Sequence, residues 1–200
     1  MNITDCLLDS HNRIPSGATT IGEKIVLSGK PHLWESRKDG VIDTVVIHYI
    51  SAVEVDCRSP YELSSVLDIF CSYGVSSHYL INRGGNVYRL VPEDCKAWHA
   101  GASIMPPPDN RTGVNEFSVG IELMATHESG FTALQYRSLC RLCIDIEIRY
   151  GKKISYVGHD QIAGQRAVEN GLRNEPKPDP GPLFDWDRFL NNMSGNRSGD

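Results

Sequence analysis

Three short runs of β-branched and other apolar residues each lead into a polar side chain able to bind a proton or a metal. They are Thr44-Val45-Val46-Ile47-His48-Tyr49, Phe117-Ser118-Val119-Gly120-Ile121-Glu122-Leu123 and Ser155-Tyr156-Val157-Gly158-His159. Their Val and Ile content marks short buried strands, the first spanning Asp43 to Ile50. A polar residue closing such a strand falls at the carboxyl edge of the sheet, where ligands usually bind. Helical patterns alternate with these runs. Ser59-Pro60 resembles an N-cap with proline in the first turn, and Tyr61 to Tyr73 keeps helical spacing up to Gly74. Ser77 to Asn82 and Val87 to Val91 alternate as a hairpin around Arg83-Gly84-Gly85-Asn86. Thr132 to Tyr150 reads as the main amphipathic helix, stopped by Gly151. Asp160 to Gly164 reads as a brief helical turn and Leu183 to Asn192 as a closing helix. Strands interleaved with helices predict an α/β class: one domain with a mixed central sheet flanked by helices.

Two hundred residues suit one domain with a sizeable core. Residues 1–40, rich in Gly, Pro and Ser, read as an N-terminal arm, 41–192 as the main folded domain, and 193–200 as a polar tail. A formal net charge of -5 argues against nucleic acid as a partner, which needs a basic face. No apolar stretch is long enough to span a bilayer. The first seventeen residues lack the basic start and apolar segment of a secretory signal, so the expected compartment is the cytoplasm, with the periplasm or cell wall as the alternative where a signal has been removed. Six cysteines permit a disulfide framework by count alone. However, Cys140 and Cys143 share helical spacing with Leu139, Leu142 and Ile146, and so read as small core hydrophobes.

His48, His159 and Asp179 can complete one metal site. Two imidazoles and a carboxylate leave a fourth zinc position open to water, as in a hydrolase. Asp179 lies in Lys177-Pro178-Asp179-Pro180-Gly181-Pro182, where proline limits the loop's freedom and lets Lys177 and Asp179 point at one place. Glu122 is costly to bury without a partner or a task. Beside activated water it can take a proton and pass it to a leaving amine. Lys177 can stabilise an oxyanion. Ala97-Trp98-His99-Ala100-Gly101 suits a sugar or peptide lying against backbone, so Tyr49, Trp98, His99, Ala100 and Gly101 are the candidate substrate contacts. His99 is alternatively a third histidine ligand. His78 reads as a supporting or core hydrogen-bonding histidine, and His11, His32 and His127 as surface residues.

At these residues the chain resembles the zinc-dependent N-acetylmuramoyl-L-alanine amidases of the amidase-2 family. The matching elements are Val45 to Tyr49, Val75-Ser76-Ser77-His78-Tyr79-Leu80-Ile81, Val91-Pro92, Ala97 to Gly101, Ser118 to Glu122, Gly158-His159 and Asp179 to Pro182. They run in the family's order from about Asp43 to Trp186. The resemblance implies one Zn2+ in a groove on the sheet's face, with His48, His159 and Asp179 as its ligands. It implies Glu122 as the proton shuttle, Lys177 as the oxyanion-stabilising group, and peptidoglycan fragments (muropeptides) as substrates. The bond cleaved would join the lactyl group of N-acetylmuramic acid to L-alanine. A non-catalytic peptidoglycan-binding module of the same fold, or a zinc hydrolase of another amide, are the alternatives. Relatives pass from the second histidine to the aspartate in a shorter loop. Here Ala167 to Pro176 looks inserted, and an insertion beside the metal is expected to restrict substrate size or act as a lid.

Overall fold

The computed structural model describes residues 1–8, 33–37 and 41–197. In chain order the strands are β1 (Ile3–Asp5), β2 (Trp34–Ser36), β3 (Thr44–Ile50), β4 (Tyr79–Ile81), β5 (Val87–Arg89), β6 (Cys95–Ala97), β7 (Ser118–Met124) and β8 (Ser155–Gly158). The helices are α1 (Leu63–Tyr73), α2 (Ala133–Tyr150), α3 (His159–Ala163), α4 (Gln165–Glu169) and α5 (Trp186–Arg197), and Val114–Glu116 forms a 3-10 turn.

Among the described residues the main sheet has the order β1-β5-β4-β7-β3-β8, and β2 pairs with β6 in a second, two-stranded sheet. Strands β4, β7, β3 and β8 run parallel, while β5 returns antiparallel to β4 as the expected hairpin. The class is therefore the mixed α/β sheet read from the sequence. The long apolar runs take its middle because a parallel strand is covered on both faces and must be apolar almost throughout. Every residue of β7 is buried, as are the first five of β3.

Side-chain alternation then divides the residues between the two faces. Val45, Ile47, Val119 and Ile121 pack with Leu139, Cys143 and Ile146 of α2 and Phe189 of α5. On the opposite face Val46 joins Ala100, Met105, Val114, Val157 and Ile162, while Leu80 and Met124 meet Val66 and Phe70 of α1. His48 shares the parity of Val46, so it leaves the sheet on the second face. Helix α2 starts with a reciprocal capping box between Thr132 and Gln135 and stops at left-handed Gly151. Cys140 and Cys143 lie on its buried stripe, and burial pushes the Cys140 thiol up to about 11.

Three boundaries differ from expectation. Glu62, not Ser59, precedes α1, because the Asp56 carboxylate accepts the N–H groups of Arg58 and Ser59 and holds them in a preceding turn. Helix α5 runs through the expected polar tail as far as Arg197, since Met193 follows Phe189 by one turn and is buried beside it. Within the expected N-terminal arm, Ile3–Asp5 extends the main sheet beside β5 and Trp34–Ser36 pairs with β6. Most of the remaining arm, with His11 and His32, lies outside the described residues, and among the described residues no helix is long and apolar enough to cross a membrane.

Phe189 has no solvent exposure and joins α5 to the sheet through Tyr156, Phe184 and Trp186. Phe189→Ala is expected to lower unfolding stability by about 3–5 kcal/mol, read from denaturant midpoints at unchanged slope.

Candidate active site

Parallel pairing brings three sequence-distant residues to one edge. His48 and Glu122 are register partners on β3 and β7, and Ile47 pairs with Gly158 of β8. His159 therefore leaves the end of β8 level with His48. Asp179 arrives from the proline loop, and its backbone carbonyl accepts the Asp160 N–H at 2.6 Å. Gly158 is required here by close approach. A Cβ on it would come within 2.3 Å of Asp160 Oδ1 and 2.7 Å of Pro180 Cδ.

One ligand atom from each of His48, His159 and Asp179 can be chosen so that all lie within 4.8 Å of one another. His48 Nδ1 is 3.0 Å from Asp179 Oδ2, and His159 Nδ1 is 3.2 and 3.1 Å from Oδ1 and Oδ2. Ligands held at zinc–donor distances in a tetrahedron would be separated by roughly 3.3 Å, close to these values. The far nitrogen of His159 lies 3.2 Å from the Ala100 carbonyl, which can only accept. Nε2 is thus placed to donate to it, and Nδ1 is the ring nitrogen turned toward the carboxylate. Two imidazole nitrogens converging on one buried carboxylate form a donor set that suits zinc or a similar metal. Burial by itself would raise Asp179, but the two histidines override it and hold the carboxyl well below the usual range. Burial, then the nearby His159, push His48 down to about 4.

Glu122 is buried, and its Oε2 has no hydrogen-bond partner among the described residues. Burial first, then Asp179, hold its carboxyl well above the ordinary carboxylate range, with Lys177 acting in the opposite sense. A buried oxygen without a partner is expensive to maintain, which marks it as a group awaiting water or substrate.

His99 stands behind His48 instead of beside Asp179. Its Nδ1 is 3.1 Å from His48 Nε2 and its Nε2 is 3.2 Å from Ser118 Oγ. Both ring nitrogens are thereby engaged within the protein. His78, also buried, accepts the Gly120 N–H at Nδ1 and meets the Cys95 carbonyl at Nε2. Burial and then Arg37 push it down to about 3, so it stays neutral. Asn115 and Arg37 carry signals that sequence reading missed. Asn115 Oδ1 accepts the N–H groups of both His99 and Ala100. Arg37 donates to the carbonyls of Glu93, Asn115, Glu116 and Ser118, fixing the 3-10 turn itself and the first residue of β7. Nothing local in the sequence ties Arg37 to residues some eighty positions away.

Lys177 is exposed and lines a groove of about 420 Å³ with Tyr49, Ser51, Glu54, Thr126 and His127. Of the other candidate substrate contacts, Trp98 is half-buried under Lys96, Ala100 is buried, and Gly101 is exposed with a positive φ. The segment that looked inserted forms α4 and the turn after it. Arg166, in α4 just before that segment, donates to the Met105 carbonyl and to Asn110 Oδ1, tying the helix to the Pro106-Pro107-Pro108 loop. The Lys177 N–H returns to the Ala163 carbonyl at 2.9 Å.

The model of the N-acetylmuramoyl-L-alanine amidase family matches residues 38–182. The 1,6-anhydro-N-acetylmuramyl-L-alanine amidase AmpD of Citrobacter freundii is 40% identical over 116 residues, 58% of this chain and 55% of that protein. The match thus spans about half the length of that relative. AmpD of Haemophilus influenzae is 32% identical over 176 residues, 82% of this chain and 89% of the relative. A crystal structure of a selenomethionine AmpD derivative superposes with a TM-score of 0.64 at 29% identity, covering 96% of this chain and 99% of the other. AmiD of Escherichia coli, solved with anhydro-N-acetylmuramic acid-L-Ala-D-gamma-Glu-L-Lys, gives 0.54 at 30% identity, covering 76% of this chain and 57% of that one. The family match takes in β3 through β8 together with His48, Glu122, His159 and Asp179, and the chain belongs to the N-acetylmuramoyl-L-alanine amidase family.

Proposed function

We propose that this protein is a zinc-dependent amidase that cleaves the amide between the lactyl group of N-acetylmuramic acid and the L-alanine of a peptidoglycan stem peptide. The observation that carries the reading is the pairing of His48 with Glu122 across β3 and β7. It sets a buried carboxyl oxygen without a partner beside a cluster of converging ligand atoms. His48, His159 and Asp179 would hold the zinc. When bound, it supplies Lewis-acid polarisation of the scissile carbonyl and lowers the pKa of water at the site toward about 7.

The chain's own residues do the rest. Glu122 accepts the proton of the attacking water as its oxygen bonds to the lactyl carbonyl carbon. Lys177 offers a positive charge to the oxyanion that develops there. When the C–N bond breaks, Glu122 returns the proton to the departing alanine nitrogen, and the remaining water proton passes from the new lactyl carboxyl group to the freed amine, leaving a lactyl carboxylate and an ammonium-ended stem peptide. Tyr49 and Ser51 in the groove beside Lys177, with exposed Gly101, are the surfaces against which we place the peptide and sugar. Relatives named for 1,6-anhydro-muramyl substrates support an anhydro-muropeptide as the preferred substrate. The cytoplasm is proposed as the compartment, in the recycling of wall fragments.

Mass spectrometry of intact and anhydro-muropeptides incubated with zinc-loaded and chelator-treated protein tests the reading. Free stem peptide should appear only with zinc, and faster from the anhydro substrate. Binding of both substrates without release would instead make the chain a recognition module. Glu122→Gln should lower turnover by a factor on the order of 10²–10⁴ with zinc still bound, and unchanged activity would remove Glu122 from the mechanism. Asp179→Ala should abolish stoichiometric zinc binding in elemental analysis, whereas full occupancy would mean that another residue is the third ligand.

A further inference from the structure

Across the sheet from His48, away from every residue assigned to amide cleavage, α2 and α5 pack on Val45, Ile47 and Ile121. Between these helices lies a groove of about 350 Å³, lined by Ala133, Arg137, Cys140 and Arg141 of α2 and by Arg188 and Asn192 of α5. Ala133, Arg137 and Arg141 recur at four-residue spacing, as do Arg188 and Asn192, so each helix gives one stripe of side chains to the groove. Three guanidinium groups thus line one hollow, and no carboxylate lines it among the described residues.

That arrangement is costly, and the chain had the means to avoid it, with 25 acidic residues against 20 lysines and arginines. Like charges one turn apart destabilise a helix, and Arg137 and Arg141 are such a pair. Elsewhere the arginines are matched. Arg89, Arg111 and Arg149 pair with carboxylates, and Arg37, Arg83 and Arg166 donate to backbone carbonyls. Among the described residues Arg137 and Arg141 have no hydrogen-bonded or ion-paired partner. The Arg188 guanidinium lies over the Tyr136 ring, 4.6 Å from its centre, which holds one fork in place. Its neighbour Asp185 does not neutralise it through a hydrogen bond, because Oδ1 accepts the Arg188 backbone N–H instead.

Planar five-donor forks are satisfied by paired anionic oxygens, which phosphate groups present in matching geometry. The groove is larger than one phosphate. At about 30 Å³ per water it equals on the order of ten waters. No aromatic side chain lines it, so a ligand there is held by charge and hydrogen bonds, not by stacking.

We propose that the groove between α2 and α5 is a second binding site, for a small molecule carrying two linked phosphate groups, with Arg137, Arg141 and Arg188 as its anion-binding residues. Two phosphates offer oxygens to forks on both helices at once, a span that one phosphate lacks. An anion seated there also relieves the mutual repulsion of the three cations. The site does not depend on the zinc reading, since the whole sheet separates it from His48.

The test titrates inorganic diphosphate into the zinc-loaded full chain by calorimetry at low salt, with inorganic phosphate and citrate as comparison anions. One-to-one binding with a Kd below about 1 mM is expected, and weaker binding of both comparison anions. All three arginines are exposed, so their glutamine variants should fold. Arg141→Gln and Arg188→Gln should each weaken diphosphate about 5-fold or more. Arg141→Lys keeps the charge without the fork and should recover only part of that loss. Because diphosphate can also bind zinc, the titration is repeated on Asp179→Ala, where the affinity should be unchanged. ADP separates two sources of the same chemistry: binding at least as tight as diphosphate's supports an ester as ligand, and weaker binding supports the free anion. No saturable binding of diphosphate, equal affinity in both glutamine variants, loss of binding in Asp179→Ala, or citrate bound as tightly as diphosphate would each overturn the proposal.

Discussion

The parallel register of β7, β3 and β8 underlies the site, because it sets Glu122, His48 and His159 abreast at one sheet edge. Parallel strands in this position are covered on both faces, which makes their apolar runs long and their register hard to slip. A shift of one residue in β3 would carry His48 to the face occupied by α2 and α5 and drive Ile47 into the candidate metal position. The hydrophobic energy of the core is therefore also what holds the chemistry in place. The residues that fix the site are the same ones that bury it.

Burial has a cost at this edge, and the surrounding groups meet it unequally. His48, His78 and His99 are all driven toward the neutral form by desolvation, which suits ligands and their supports, since a protonated imidazole binds no metal. Asp179 stays ionised against the same desolvation because two imidazoles face it. Glu122 has no such partner and is held in the other direction. Two carboxyl groups at one edge are thus shifted in opposite directions by environment alone, one suited to holding a cation and the other to moving a proton.

Much of this was legible in the sequence, and the parts that were not share a physical reason. The Val- and Ile-rich runs, the hairpin and α2 each declare themselves within a dozen or so residues, through period and capping. His48, Glu122 and His159 were visible because each terminates such a run. Strand β1 has three residues and owes its conformation to β5 rather than to its own pattern, and Met193 is recognisable as core only once Phe189 is known to face inward. Arg37 and Asn115 act by hydrogen bonds to backbone groups of distant or irregular segments, which leave no periodicity to read. Trp98 and His99 stood out as unusual residues, but composition could not say which way the rings turn. That depended on the room beside Gly120 and the clamp at Asn115.

Asp160 and Ala163 receive the far end of the proline loop: the Asp160 N–H meets the Asp179 carbonyl and the Lys177 N–H meets the Ala163 carbonyl. The excursion from Gly164 to Pro176 is closed at its base before the chain reaches Lys177 and Asp179. A loop closed in this way can lengthen at small entropic expense, roughly 0.6 kcal/mol for each doubling of its length. Its tip is free to diverge in sequence and size while the coordinates of the two residues beyond it stay put. The segment beside the candidate metal site can therefore be remodelled without retuning the geometry of that site, so this fold can change what it admits separately from what it does.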